Sequence, residues 1–309
     1  MRSSTCIYSF PAILTANTLG ILGLLIAQVN EAPLLAAEVE SADRPAVFSL
    51  MMVNFMFWNI VGTQLSGFAV KWFGAGVAAP YMPALILSGF CGMITGVLRF
   101  RLPFQKGTRR AERSRSYRPS RIALSLAVVS LFSGGFTTLM MGFGNVILAS
   151  RYHLNEVAVA TILTVANAAG WGGAILVPGL SRRLGVNRLI FAIILAQALL
   201  LPIMGWISSP TIYQGTFWLR EFLGTMQMTV WGAFAMEVAP EHERATVNGF
   251  AMVGRSLGAA FAAQAFGVAL AAGAYPVAFS TAGGLALLAA LALFLFFRPV
   301  RYLRAGHDL

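Results

Sequence analysis

The sequence predicts an all-α membrane protein, a polytopic helical bundle of about nine transmembrane helices. Three observations carry that prediction. Apolar residues make up 58% of the chain and charged residues 11%, with a mean hydropathy of +0.74, too little charge to cover a soluble chain of 309 residues. Nine apolar runs lie at 10–29, 47–70, 76–98, 122–149, 157–177, 189–207, 212–236, 247–271 and 277–297. Each is near the ~20 residues that cross a bilayer core. Backbone amides in lipid must be satisfied within the segment, so runs of this length are helices. The alternating ten-residue segments of an outer-membrane barrel do not occur.

Each run adds a particular feature. In the first, Asn17, Leu24, Gln28 and the following Glu31 recur at helical spacing and form one polar stripe. The second follows the charged stretch "EVESADRPAVFSL" (38–50), and the third is expected to kink at Pro83. In the fourth, Ser130, Thr137, Met141 and Asn145 make a weaker stripe. The fifth leads into "PGLSRRLGVNR" (178–188), and the sixth is expected to kink at Pro202. In the seventh, Thr216, Arg220, Gln227 and Trp231 share a stripe, with Glu221 beside Arg220. A polar group in hydrocarbon is expensive, so each is a candidate for the solute or ion pathway. The eighth follows "VAPEHERATVNGF" (238–250) and places Gly254, Gly258 and Ala262 on one face, a packing seam that also contains Arg255.

The loops set the orientation. Cytoplasmic loops carry the lysine and arginine excess. Alternate loops hold Arg44, the cluster from Arg99 to Arg121, Arg182, Arg183 and Arg188, Arg244, and Arg298 to Arg304, seventeen in all. The opposite side holds Arg2, Lys71 and Arg151. The expected topology therefore has the N-terminus outside and the C-terminus and the basic 103–121 loop in the cytoplasm. The net charge of +11 is a topology signal, and no nucleic-acid partner is expected.

A shift of 200 positions superimposes the sequence on itself. Arg44 falls on Arg244, Gln64 on Gln264, Gly67 on Gly267 and Arg101 on Arg301, with no gap needed. The ends of runs one to three coincide with those of runs seven to nine. Six runs separate the copies, so both have the same orientation, a parallel repeat. Runs four to six have no partner earlier in the chain.

This arrangement resembles the major facilitator superfamily with the first three of its twelve helices lacking, and the resemblance covers essentially the whole chain. "APLLAAEVESADRPAVFSL" (32–50) resembles the family's link from fourth to fifth helix, and "VAPEHERATVNGFAMVGRSLGAA" (238–260) the matching link from tenth to eleventh. "PGLSRRLGVNR" resembles the signature loop of the carboxy-terminal half: Arg183, Gly185 and Arg188 fit, whereas Arg182 stands where aspartate is usual. That departure weakens any carry-over of the loop's gating salt bridge. The resemblance implies three units: 1–102 as the remainder of an N-terminal half-bundle with three spans, 103–121 as a basic cytoplasmic linker, and 122–309 as a C-terminal half-bundle with six. It also implies that the first, fourth and seventh spans line a central cavity.

Two groups of residues keep two readings each. Arg44, Glu241 and Arg244 form either a cytoplasmic latch that differs between inward-open and outward-open states or charged turns that pin helices to the interface. Arg220 either anchors an anionic group or pairs with Glu31 or Glu221 for packing.

Absences exclude other chemistry. No GxxxxGK[ST] phosphate loop occurs, so ATP does not drive this chain directly. Cys6 and Cys91 are too few for a metal or disulfide framework, the three histidines lack ligand spacing, and both aspartates, Asp43 and Asp308, lie outside the runs. Neither an enzyme activity, a cofactor nor a metal is expected. Two functions remain: a secondary active transporter moving a small solute by alternating access, with protons as the candidate coupling ion, or a non-transporting remnant, sensor or scaffold of the same fold. The expected setting is the cytoplasmic membrane, with lipid and solute as partners of a monomeric chain.

Overall fold

A computed structural model of the protein describes residues 42–73 and 119–297, together with 15, 35–36, 39–40, 89–94 and 97. Its long elements are α1 (Arg44–Phe73), α2 (Arg121–Tyr152), α3 (Glu156–Leu184), α4 (Val186–Trp206), α5 (Pro210–Val238), α6 (Arg244–Ala271) and α7 (Tyr275–Phe297). They coincide with the second and the fourth to ninth apolar runs, and no strand occurs among the described residues. The first run with Asn17, Gln28 and Glu31, most of the third, and most of the basic linker lie outside the described residues. Six of these helices are long and apolar enough to cross a membrane. The exception, α5, has the length at 29 residues, but Arg220, Glu221 and Gln227 dilute its apolar content.

Local chemistry sets the helix ends. Ser120 caps α2 by accepting from the Ala123 amide at 3.2 Å, and Asn155 caps α3 by accepting from Ala158 at 2.8 Å. Pro210 opens α5, where its missing N–H costs nothing. Only Gly185 separates α3 from α4, at φ 79° and ψ 148°, a conformation closed to residues with a Cβ. The glycine of the signature-like loop is therefore a chain reversal. Pro240 leads into a single 3₁₀ turn, Glu241–Glu243, before α6 starts at Arg244. At the far end of α6, Gly273 at φ 70° and the Ala274 amide bonded to the Ala269 carbonyl form a Schellman cap.

Helices α2 to α7 pack as one bundle in which α2 against α6, α4 against α7 and α3 against α5 are the main pairs. The α2–α6 seam is built on glycine. A methyl at Gly134 would fall on the Arg255 carbonyl, one at Gly254 on the Ala127 carbonyl, and one at Gly258 on the Leu131 carbonyl. Small residues bring the two backbones into contact, the main source of helix affinity where lipid removes the hydrophobic drive. Pro202 lies inside α4 against Gly283 of α7, where a Cβ would meet the proline ring at 2.5 Å. Away from the basic arginines, Arg151 donates to the Gly205 carbonyl at 2.8 Å and lies over the Tyr275 ring at 4.8 Å, tying the ends of α2, α4 and α7 together. Helix α1 leans on α3 and α5. Large apolar side chains such as Leu199, Phe261, Val268 and Leu295 point outward, as lipid contact requires.

Candidate functional site

Four helices place polar side chains at one depth. Ser133 lies twelve residues into α2 from Arg121, Gln197 eleven into α4 from Val186, Gln227 eleven back along α5 from Val238, and Arg255 eleven into α6 from Arg244. All four starting points lie at the end of the bundle that carries Arg44, Arg183 and Arg244, called here the basic end. At 1.5 Å per residue the four side chains stand about 17 Å from that end, near the middle of a core ~30 Å thick.

Three of the four are joined. Gln197 Nε2 donates to Gln227 Oε1 at 2.7 Å, and Gln227 Nε2 donates to Ser133 Oγ at 2.7 Å, all within the buried interior. The chain stops at Gln197 Oε1, which is buried without a partner among the described residues. Arg220 lies close by on α5. Both Arg220 Nη1 and Gln197 Oε1 face Gly224, 3.6 Å and 4.0 Å from where a Cβ there would stand. Arg220 is only 2% exposed and donates from Nη1 to the Glu221 carboxylate at 2.5 Å, while its Nε is buried without a partner. Of the two sequence readings, the described contacts give Arg220 its carboxylate in Glu221.

A cavity of about 20 Å³ opens beside this chain, lined by Ser130, Ser133 and Thr137 of α2, Gln227, Met228 and Trp231 of α5, and Arg255 of α6. Thr137 turns its hydroxyl to the Ser133 carbonyl at 2.9 Å, and the Trp231 ring lies tilted against that of Phe234, centroids 5.8 Å apart. Arg255, half-buried, makes no hydrogen bond or ion pair among the described residues. A second cavity of about 230 Å³, at the basic end between Arg188, Phe191, Phe234 and Phe297, is mostly apolar and lacks such a polar set.

At the basic end α1 closes on the later helices. Arg44, itself 7% exposed, donates to the Met236 carbonyl of α5 at 3.5 Å and to the Ala36 carbonyl at 3.3 Å. Phe48 fills the space beside Gly232, where a Cβ would meet its ring at 2.7 Å, and Ser49 donates to the Ala174 carbonyl of α3 at 2.6 Å. Arg244 stands 3.7 Å from the exposed Glu241, and Arg183, Gly185 and Arg188 are exposed on the same end.

The sequence-derived candidates are thus divided. Thr137, Gln227 and Trp231 meet at one cavity, whereas Arg220, paired with Glu221, lies beside Gln197 and does not line it. Thr216 returns its hydroxyl to the Tyr213 carbonyl of its own helix at 2.9 Å, and Asn145 is exposed with its side chain accepting from Val146. Neither lines the cavity. Ser133, Gln197 and the inward role of Arg255 were not anticipated. A lone amide in the apolar run "FAIILAQALLLPIM" (191–204) was the available signal for Gln197. Among the described residues no three His, Cys, Asp or Glu side chains could hold a metal.

A family model of the Major Facilitator Superfamily matches residues 3–263. No curated protein matches the chain.

Proposed function

Because the chain belongs to the major facilitator superfamily, a family of membrane transporters, we propose that it carries a small solute by alternating access, as a secondary active transporter coupled to protons. One observation supports this reading most: the amide chain Gln197–Gln227–Ser133 and an unpartnered Arg255 lie at mid-membrane beside a cavity. A lipid-embedded scaffold gains nothing from such groups, since an arginine at that depth costs about 2.5 kcal/mol or more on insertion scales.

The basic end is the cytoplasmic one in this proposal, and the α1 contacts at Arg44, Phe48 and Ser49 close it. Access from the cytoplasm requires α1 to leave α5 and α3, a rigid-body rocking of one half-bundle against the other. Glu221, and outside the described residues Glu31, are the carboxylates proposed to exchange the coupling proton, with Arg220 paired to Glu221. The protein acts as a monomer in the cytoplasmic membrane.

Reconstitution into liposomes tests the reading. Saturable solute flux is expected that grows with an imposed pH gradient and is lost in Gln227→Leu. Flux without saturation, or unaltered in that variant, contradicts it. Reporters fused after Tyr117 or Leu309 should report cytoplasm, and one near His153 the opposite side.

A further inference from the structure

We propose that the cavity binds a carboxylate, so that the transported solute is a monovalent organic anion, an inference that rests on the transporter reading above. Among the described residues three ionised groups lie in the middle stretches of the helices: Arg220 and the partly exposed Glu221, which pair, and the half-buried Arg255, which has no ion pair there. One positive charge is left over, and it borders a cavity. A half-buried cation at mid-membrane without a counter-charge among the described residues is costly enough that its partner is expected to arrive from outside them.

The remaining lining fits that partner. Ser133 Oγ accepts from Gln227, so its own proton is free to donate to an anion. The Arg255 guanidinium offers a planar pair of donors that matches a carboxylate in two-point geometry. A volume of about 20 Å³ admits one oxygen of such a group, beside Met228 and Trp231. The close glycine seam fixes Arg255 in place, because its own backbone carbonyl touches Gly134. Its position is therefore set by the fold and not by the ligand.

The test uses the full chain in lipid nanodiscs and three probes of one shape: benzoate, neutral benzamide and cationic benzylamine. Unfolding is followed by tryptophan emission. Benzoate should raise the unfolding temperature by several degrees at saturating concentration, while benzamide and benzylamine should leave it unmoved. Arg255→Gln should raise the ligand-free unfolding temperature, since an uncompensated cation is removed, and should weaken benzoate by about tenfold or more. Arg255→Lys should keep part of the response. Equal stabilisation by benzamide, an unchanged benzoate response in Arg255→Gln, or no benzoate response at all overturns the proposal. A fall in ligand-free stability in Arg255→Gln also overturns it, by showing that a carboxylate elsewhere in the chain already neutralises Arg255. Stabilisation by a neutral solute that depends on Trp231 would reject the anion and keep the transporter. Absence of saturable flux for solutes of every charge would reject the transporter itself.

Discussion

The guanidinium of Arg44 joins the carbonyl of Met236 to that of Ala36, two residues that correspond under the 200-position repeat. Met236 lies in the last turn of α5, where carbonyls lack intrahelical partners. One side chain of α1 thus caps α5 and also bonds the residue that corresponds to Met236 under the shift. Phe48 and Ser49, one turn further along α1, extend the same contact. Of the charged residues at this end, Arg44 serves as a carbonyl cap and Arg244 pairs with Glu241.

Removing that cap should loosen the basic end. In Arg44→Ala, a cysteine introduced at Ala235, now 1% exposed, is expected to react with a water-soluble maleimide several times faster than in the parent. Arg44→Lys should lie between the two, because a lysine cannot span both carbonyls. An unchanged rate in Arg44→Ala would mean that the contact does not hold the end closed.

The Phe48–Gly232 contact gives a sharper version. Gly232→Leu inserts a side chain where even a methyl would stand 2.7 Å from the Phe48 ring. It should hold α1 away from α5 and reduce transport, and Phe48→Ala in the same chain should recover much of the loss. Additive effects of the two substitutions would show that they do not share a site.

The α2–α6 seam should be intolerant of any Cβ. Gly258→Ala places its methyl on the Leu131 carbonyl, and backbone on both sides must move. The expected loss of stability is about 1–3 kcal/mol, the usual cost of overpacking. Gly249→Ala, on the same helix with nothing within 4 Å, is the control and should be nearly neutral in thermal unfolding.

The Arg220–Glu221 pair predicts an asymmetry. Glu221→Gln leaves the 2% exposed Arg220 without its counter-charge and should destabilise by about 3 kcal/mol, less where Glu221 reaches water. Adding Arg220→Gln should recover most of that stability while leaving transport lost. If Glu221→Gln is neutral in unfolding, Arg220 has another partner.

Much of this was legible in the sequence because lipid imposes simple rules. The apolar runs mark helix positions well but understate their lengths: run 157–177 becomes α3 to Leu184, since the helix continues through Arg182 and Arg183 until Gly185 breaks it. The Gly254–Gly258 face was read correctly as a seam, yet that reading absorbed Arg255, whose side chain departs from the seam toward the cavity. Spacing identifies a stripe on one helix without saying which way it turns. Asn145 and Thr216 satisfy themselves on their own helices, a choice open to short polar side chains that periodicity cannot detect. Gln197 forms no stripe with other polar residues of its run, so periodicity does not mark it, yet its amide reaches Gln227 from α4.

The central claim is that the basic end opens and closes as a solute crosses. Spin labels at Asp43 and Glu241, both exposed on the two sides of the Arg44 contact, report that motion directly in a chain whose Cys6 and Cys91 are replaced by serine. The account predicts two distance populations in nanodiscs, with Arg44→Ala enriching the longer one and a bound carboxylate changing their ratio. A single distance, unmoved by the substitution and by every solute tried, would contradict it.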